Sequence, residues 1–247
     1  MASDPARSMA LLWGGEQPTR GRGPKPGLTV RGIVATAIEL ADTEGLDALS
    51  MRRVAERLGV GTMSLYTYVP GKAELVDVML DTIHLEAPGA PHGTWREQLE
   101  AVARDQWALA RRHPWMLHLA TTRPPMGPGI IAKYERELRT VEGLGLDDLE
   151  MDSIVTLING YVAGTARSAI DAFDVARSSG MDDATWWAAT GPWLATVLDP
   201  QRYPVATRVG TTAGQHHQAV TDPDHAFEFG LQRVLDGIEV LIQQRGR

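Results

Sequence analysis

The fold is decided by one stretch of the chain, RLGVGTMSLYTYVPGK, which occupies residues 57–72. It places two glycines, two tyrosines and a Pro-Gly pair in a region whose flanking segments have helical apolar patterns. Just upstream, Ser50 is expected to cap a short helix that ends at Gly59, because glycine readily adopts the left-handed conformation found after a helix. Only Val60 and Gly61 separate it from the next helix. A short helix, a glycine turn and another short helix are the components of a helix-turn-helix.

The second helix of this motif has two different faces. Leu65 and Val69 are four residues apart and are predicted to face the core. Thr62 and Tyr66, also four apart, share another face, with Met63 beside them. That second face is therefore free to meet a ligand.

Helices are also predicted on both sides of the motif. Upstream, helical spacing predicts a helix with Thr29 as its N-cap and Gly45 as its stop. Downstream, Lys72 opens a connector helix. Further helical patterns lie near 94–112, from Pro114, near 130–142, and over 148–176, 183–198 and 224–244. A mobile loop is expected between the last two. No strand pattern is found, so the fold class is all-α.

Length and composition limit what this chain can be. With 247 residues, 43% of them hydrophobic, it can form a small domain joined to a larger one. It has no cysteine, which excludes disulfides, thiolate metal sites and a cysteine nucleophile and fits a reducing cytosol. No apolar run approaches the roughly 20 residues that cross a bilayer, and no signal peptide core is found. We therefore expect a cytoplasmic protein without a membrane partner.

Charge is distributed unevenly along the chain. The formal net charge is −7, yet residues 20–72 carry more basic than acidic side chains. This layout is expected where only one part of a protein touches nucleic acid. Residues 1–28 are rich in Gly and Pro and are predicted to be a flexible basic tail without a regular element. The tail is either a linker or an arm that enters the minor groove with Arg20, Arg22 and Lys25.

Residues 29–76, TVRGIVATAIELADTEGLDALSMRRVAERLGVGTMSLYTYVPGKAELV, resemble the DNA-binding domain of the tetracycline repressor (TetR) family of bacterial transcription regulators. HLATTRP, residues 118–124, is similar to a segment of the ligand-binding domain of the family's namesake. The resemblance implies a helix-turn-helix headpiece of three helices with its connector, 29–84, joined to a helical bundle for effector binding and dimerisation, 85–247. It further implies a homodimer that binds a palindromic operator and is released by a small molecule.

The resemblance also implies roles for single residues of the headpiece. By position, the residues that read bases are Arg52, Thr62, Met63 and Ser64, and those that contact the DNA backbone are Ser50, Tyr66, Tyr68 and Lys72. Structural alternatives remain: Ser50 and Thr62 as N-caps, and Tyr68 packed on the connector helix. Because Met63 replaces a residue that is often proline in the namesake, the operator sequence does not transfer.

For the effector, the resemblance implies a site built from Val102, Gln106, His118, Thr121 or Thr122, and Glu137. Several polar partners of the drug are changed, so tetracycline itself is a poor candidate. Glu137 either faces the cavity, where it favours a cationic or hydroxyl-bearing ligand, or is a solvated helix residue. His118 is interpreted as a structural histidine rather than a ligand for a metal-chelated drug, and no metal or cofactor is expected.

The tryptophans have two interpretations. Trp95, Trp107 and Trp115 are expected to belong to the core rather than to a ligand cage. If the effector does not bind near His118, the alternative pocket is the cluster formed by Trp186, Trp187 and Trp193.

A two-fold dimer is predicted through the helices near 148–176 and 224–244. In the first, small residues allow two backbones to approach closely: Gly160, Ala163, Gly164 and Ala166. In the second, the apolar stripe is broader than a monomer leaves exposed. Glutamate at Leu235 and Ile238 is therefore expected to yield monomers.

Two other classes of protein fit the sequence less well. An enzyme needs paired acids, a metal cluster or an activated nucleophile, and His113 and His118 lack the spacing of a zinc motif. A sequence-indifferent architectural DNA binder needs basic charge over most of its surface, against which the isoelectric point near 5.5 argues. Among regulators, repression is favoured over activation because a dimer on its operator blocks polymerase by occupancy alone.

Overall fold

The computed structural model of the chain describes residues 5–14, 28–86, 89, 91–119 and 123–245. Within these ranges the protein is built from α-helices and two short 3-10 turns, without a strand, so the all-α prediction is confirmed. The helices are α1 (Pro5–Trp13), α2 (Val30–Glu44), α3 (Met51–Leu58), α4 (Thr62–Tyr66), α5 (Lys72–His84), α6 (Trp95–Arg112), α7 (Pro128–Arg139), α8 (Asp148–Ser179), α9 (Asp183–Val197), α10 (Pro204–His217) and α11 (Pro223–Arg245). They form two compact units, one up to Val155 and one from Thr156. No described helix has both the length and the apolar character needed to cross a membrane.

Local signals set the ends of the headpiece helices as predicted. The hydroxyl of Thr29 accepts a hydrogen bond from the backbone N–H of Gly32 at 3.1 Å, which caps α2. The hydroxyl of Ser50 accepts one from the N–H of Arg53 at 3.3 Å, which caps α3. Gly59 ends α3 in the left-handed conformation, with φ 67° and ψ 30°. The cap alternative for Ser50 is therefore confirmed.

Helix α4 begins one residue earlier than a cap at Thr62 would require. Its N-cap is Gly61, which has extended backbone angles and no side chain to accept a bond. Thr62 is already the first helical residue, so the cap alternative for Thr62 is wrong. Leu65 and Val69 are fully buried as predicted, whereas Met63 is 78% exposed.

The core of the first unit lies between α2, α3 and α5. Fully buried apolar residues of α5 pack against those of α2 and α3, and Trp115 closes one side. They include Ile33, Leu40, Val54, Leu75, Met79 and Ile83. This core fixes the position of α5, which connects the headpiece with α6 and α7.

Helix α1 is a correction to the predicted tail. Residues 5–13 form a helix whose Leu11 and Leu12 pack against the core, although 1–28 was expected to lack any regular element. The glycines and most prolines of this segment lie from residue 14 onward, and a proline at the first helical position is tolerated. Tertiary packing on α5 then stabilises a short helix. The three basic residues of the predicted arm, Arg20, Arg22 and Lys25, lie outside the described residues.

Side chains of α5 anchor its neighbours. The hydroxyl of Ser8 on α1 donates to the carboxylate of Asp77 at 2.6 Å. The carboxylate of Asp81 is buried and accepts the first backbone N–H groups of α7, from Gly129 at 3.1 Å and Ile130 at 2.9 Å. A Cβ on Gly129 would lie 2.0 Å from the carbonyl oxygen of Asp81, so only glycine permits this approach.

In the second unit, α10 replaces the mobile loop expected after residue 198. Gly214, which suggested a loop, lies in α10 against the indole of Trp187, where a Cβ would be 2.3 Å from a ring atom. The glycine serves the packing of α9 on α10 rather than a turn. The need for glycine at this position depends on Trp187, which is distant in the sequence, so local composition wrongly predicted a loop.

Helix α11 uses its apolar stripe inside the protomer. The hydroxyl of Tyr161 on α8 donates to the carbonyl oxygen of Phe227 at 2.6 Å, and the two rings stack. Leu235 is 0% and Ile238 3% exposed within a single chain. Glutamate at these two positions would bury charges in the core of the protomer, so the expected monomers would be destabilised and the two residues do not report on a dimer surface.

Candidate functional site

The outer side of the helix-turn-helix consists of polar and exposed side chains. Met63, Ser64 and Tyr66 on α4 are exposed, and Thr62 at the start of the helix is half-buried. Because Leu65 alone anchors this short helix to the core, the other side chains of α4 are available to a ligand. The predicted second face of α4 is thus open.

The three arginines of α3 have different surroundings. Arg53 and Arg57 both bind Glu44 on α2, with nitrogen–oxygen distances of 2.5 and 2.8 Å. The hydrogen bond from Arg53, with the charges of both arginines, holds the pKa of the Glu44 carboxyl below its usual range. These two arginines brace α3 against α2.

Arg52 is the arginine of α3 that points away from α2. Its side chain is 82% exposed, and its Nε donates to Glu56, one turn along the same helix, at 2.7 Å. An exposed pair of this kind contributes little to stability, because solvent screens its charges. The guanidinium of Arg52 can therefore leave Glu56 and donate to another acceptor at little cost.

The residues expected at the DNA backbone also have structural contacts. Tyr68 is partly buried against the headpiece core, which supports the packing alternative for it. The ammonium of Lys72 donates to the carbonyl oxygen of Leu46 at 3.3 Å and is otherwise exposed. Ser50 caps α3, and a capped helix N-terminus still presents backbone N–H groups to a phosphate.

A second candidate site lies in the same unit, between α5, α6 and α7. It is a cavity of about 160 Å³. Its polar lining comes from His84 and Glu86, from Asp105, Gln106 and Arg112 on α6, and from Lys133 and Arg136 on α7. Most of these side chains are ionisable, so the cavity is suited to a polar or charged group.

Glu137 is buried beside this cavity rather than solvated. It is 2% exposed, and its carboxylate accepts from Lys133 at 2.5 Å and from the amide of Gln106 at 2.6 Å. Burial lowers the pKa of Lys133, although the charge of Glu137 opposes this shift. The solvated alternative for Glu137 is wrong, and its charge is already matched inside the protein.

The structure unites only part of the predicted effector site. Gln106 lines the cavity and binds Glu137, whereas Val102 belongs to the core. His118 is exposed at the end of the 3-10 turn Pro114–His118. Thr121 and Thr122 lie outside the described residues.

Sequence reasoning predicted Gln106 but none of the other polar residues that line this cavity, and the most deeply buried histidine among them is His84. It is 9% exposed and has no hydrogen-bond partner among the described residues. Burial, followed by the charges of Lys133, Arg136 and His113, lowers its pKa to about 3. His84 follows Leu80 by four residues, so in the sequence it looks like a continuation of the apolar face of α5.

His84 makes the stability of the protein dependent on pH. The unfolded chain takes up a proton on this ring below about pH 6.5, whereas the folded chain does not until about pH 3. His84 therefore lowers the free energy of unfolding by about 1.4 kcal/mol per unit as the pH falls from 6 toward 4. Urea unfolding at several pH values should show a shallower loss in His84→Leu than in wild type. The exposed His92 is the control: His92→Leu should keep the wild-type slope, and an equal slope in all three proteins contradicts the assignment.

Two of the tryptophans expected in the core are there. Trp107 and Trp115 are buried, and the indole N–H of Trp115 donates to Asp42 on α2 at 2.7 Å. Trp95 is half-buried. On α9, by contrast, Trp193 and Trp186 are exposed.

Part of the small-residue face of α8 is open. A Cβ on Gly160 or Gly164 would meet no heavy atom within 4 Å among the described residues outside the helix itself. Leu157, on the same face, is exposed. On α11, Gly237 has the same open space, and Val240 beside it is exposed. These positions, rather than Leu235 and Ile238, are available to a second protein surface.

Within the described part of the chain, no group of three or more acidic or histidine side chains is placed to hold a metal ion. The two candidate sites in this part of the chain are thus the exposed side of the short helix α4 and the charged cavity between α5, α6 and α7.

Comparisons with known proteins agree with this geometry. Residues 33–79 match the family described as bacterial regulatory proteins, tetR family, and residues 87–242 match the tetracyclin repressor-like C-terminal domain. The chain is 47% identical to the HTH-type transcriptional repressor DrrR1 of Streptomyces coeruleorubidus, over 99% of this chain and 89% of that protein.

Solved structures show the same fold. Apo ActR from Streptomyces coelicolor has a TM-score of 0.70 and 29% identity, over 92% of this chain and 99% of its own. ActR in complex with actinorhodin has a TM-score of 0.68 and 27% identity, over 87% and 99%. BioQ with its double-stranded DNA operator has a TM-score of 0.51 and 25% identity, over 57% and 87%.

Proposed function

The chain belongs to the tetracycline repressor (TetR) family of bacterial transcription regulators, and from this premise we propose that it is a repressor that binds a palindromic operator as a homodimer and leaves it when a small molecule binds. The observation that carries the proposal is the open outer side of α4, held at one end of a capped helix-turn-helix. Similarity over nearly the whole chain to a named repressor favours repression over activation. The family excludes an enzyme, and we place the protein in the cytoplasm, where operator DNA is found.

We divide the chain by function near residue 84. In this proposal 29–84 binds DNA and 85–247 binds the effector and the second protomer, while the basic part of the N-terminal segment either links or contacts DNA. The open face of α8 and α11, with Gly160, Gly164 and Gly237, is the proposed dimer surface. A two-fold axis there allows the same face to meet itself.

We propose two classes of DNA contact in the headpiece. Arg52, Thr62, Met63 and Ser64 read base edges, and Ser50, Tyr66, Tyr68 and Lys72 hold the backbone. The exposed position of Arg52 and the exposed side of α4 support the first class. The cap at Ser50 and the exposed tyrosine of α4 support the second, because hydroxyls and helix N-termini bind phosphates.

Arg52→Ala is expected to relax base preference, whereas Lys72→Ala weakens binding to all sequences alike. A guanidinium that forks onto a guanine contributes about 1–3 kcal/mol of discrimination at that base pair. Lys72 binds as a point charge, so its loss lowers the salt slope of binding by about one. Fluorescence anisotropy with operator variants at several salt concentrations separates the two effects. Arg53→Ala is the matched control, which should reduce stability without changing base preference; equal losses at every sequence for Arg52→Ala remove it from the readout set.

The effector proposal joins the cavity to the connector helix. In the proposed effector site, Gln106 and Glu137 form the buried part. The remaining residues are those that the resemblance to the family implies: Val102, His118 and Thr121 or Thr122. Because α5 lines the cavity and also packs in the headpiece core, a ligand that shifts α5 alters the placement of α4. Paired headpieces need half-sites about 34–36 Å apart, so a small rotation spoils the fit to DNA.

Selection from random-sequence DNA duplexes tests the proposed function. The full chain should enrich an inverted repeat with a short, fixed spacing between its halves, because two identical headpieces read it. Enrichment of one unrepeated site contradicts the homodimer, and no enrichment contradicts the repressor.

A further inference from the structure

The cavity between α5, α6 and α7 contains an imidazole side chain that makes no hydrogen bond to the described residues. His84 lines this cavity, is nine-tenths buried, and has no hydrogen-bond partner among the described residues. A buried polar group normally has such a partner, because burying it without one costs free energy. An imidazole left in this position is available to a ligand.

Charges around the ring determine which ligands it accepts. In the turn that follows α5, Glu86 pairs with Arg112 of α6 at 3.0 Å, and it also faces His113 at 3.4 Å. On α7, Lys133 is matched by Glu137, and the positive charges of Lys133 and Arg136 both disfavour protonation of His84. These two charges therefore make the electrostatic potential at the imidazole of His84 more positive.

The remaining acid in the lining, Asp105 on α6, interacts with the charge of Arg136 on α7. Burial raises the pKa of the Asp105 carboxyl, although Arg136 opposes that shift. A cationic ligand meets repulsion from Lys133 and Arg136 on α7, and a negatively charged ligand meets attraction from them.

We infer that this cavity binds the acid group of an organic acid, with His84 donating a hydrogen bond to it, and that the effector carries such a group. The inference rests on the proposed function, whose effector it describes. It replaces the cationic preference expected from Glu137, because that carboxylate is already bound by Lys133 and Gln106.

The size of the cavity limits how much of the ligand it holds. Its volume of about 160 Å³ equals roughly five waters at about 30 Å³ each. Drug-sized pockets span about 300–1,000 Å³. The cavity thus accommodates the acidic end of a ligand or one small aromatic acid, so benzoate is a suitable probe.

Calorimetry with three probes of similar shape tests the inference. Benzoate, benzyl alcohol and benzylamine are titrated into the full chain at pH 7. Benzoate should bind at least tenfold more tightly than either of the others, and His84→Leu should weaken it at least tenfold while His92→Leu does not. Benzylamine binding as tightly as benzoate overturns the inference, and so does unchanged benzoate affinity in His84→Leu.

Proton NMR of the wild type keeps the test decisive even if His84→Leu does not fold. Benzoate should shift the His84 ring resonance toward its protonated position as the pH is lowered from 8 to 5.5, whereas without benzoate it should not move. A resonance that ignores saturating benzoate overturns the inference. Operator binding is measured on the same sample: failure to bind DNA refutes the proposed function, and normal DNA binding without benzoate binding refutes this inference alone.

Discussion

Replacement of Gly164 by glutamate is expected to give a folded monomer that has lost at least about 100-fold in affinity for operator DNA, because two linked headpieces gain about 10²–10⁴ over one. Within the protomer, a side chain at Gly164 meets open space, so the fold should survive. At a two-fold interface, by contrast, the two glutamates approach each other and displace the close backbone contact that glycine permits. Sedimentation and DNA-binding titrations measure the two effects.

Gly210→Glu is the matched control for this variant. Gly210 is also an exposed glycine inside a helix, α10, with open space where a Cβ would lie. Its replacement should leave both the dimer and DNA binding unchanged. A Gly164→Glu protein that remains dimeric would place the interface elsewhere.

Asp81→Ala should lower the free energy of unfolding by about 3 kcal/mol. The substitution leaves two backbone N–H groups at the start of α7 without their acceptor, each at a cost of about 1–3 kcal/mol, and removes a negative charge from a helix N-terminus. Asp81→Asn keeps an acceptor and should lose less. Urea denaturation measures all three proteins.

Asp77 supplies the comparison on the same helix. Its carboxylate binds the hydroxyl of Ser8 on α1 and is less buried. Asp77→Ala should therefore cost about 1 kcal/mol. Equal costs for the two alanine variants would show that Asp81 does not hold α7 onto α5.

Helix α5 connects the two candidate sites through its own side chains. Its first residue, Lys72, touches the headpiece turn at Leu46, and its buried middle packs in the headpiece core. Asp81 holds α7, and His84 lines the cavity. We therefore propose that a ligand in the cavity acts on the headpiece through this helix.

Local chemistry explains why the headpiece was predictable. The caps at Thr29 and Ser50 and the left-handed Gly59 each depend on residues within one turn, so the sequence contains the whole signal. The inward positions Leu65 and Val69 follow from helical spacing alone. The resemblance of residues 29–76 to the TetR family added the role of the exposed face.

Tertiary contacts explain what sequence reasoning missed. Gly214 is typical of a loop by local composition, but it lies in a helix because the indole of Trp187, 27 residues away, occupies the space of a Cβ. The apolar stripe on α11 predicts a dimer surface, but Leu235 and Ile238 of that stripe pack inside the protomer. Spacing along a helix identifies an apolar face but does not say which surface covers it.

In the candidate sites, too, local sequence predicts some features and tertiary contacts determine the others. Three arginines of α3 carry the same charge, and only the position of Glu44 on α2 shows that Arg53 and Arg57 brace the fold while Arg52 does not. His84 gave no signal, because its isolation depends on three helices that meet around it.

The central claim is that a homodimer recognises two halves of one DNA sequence. It is tested most directly by quantitative footprinting on the selected inverted repeat and on the same duplex with one half scrambled. The account predicts equal protection of both halves on the intact repeat and a loss of at least about 100-fold in affinity on the scrambled duplex. Equal affinity for the two duplexes would contradict it and would indicate binding without regard to sequence.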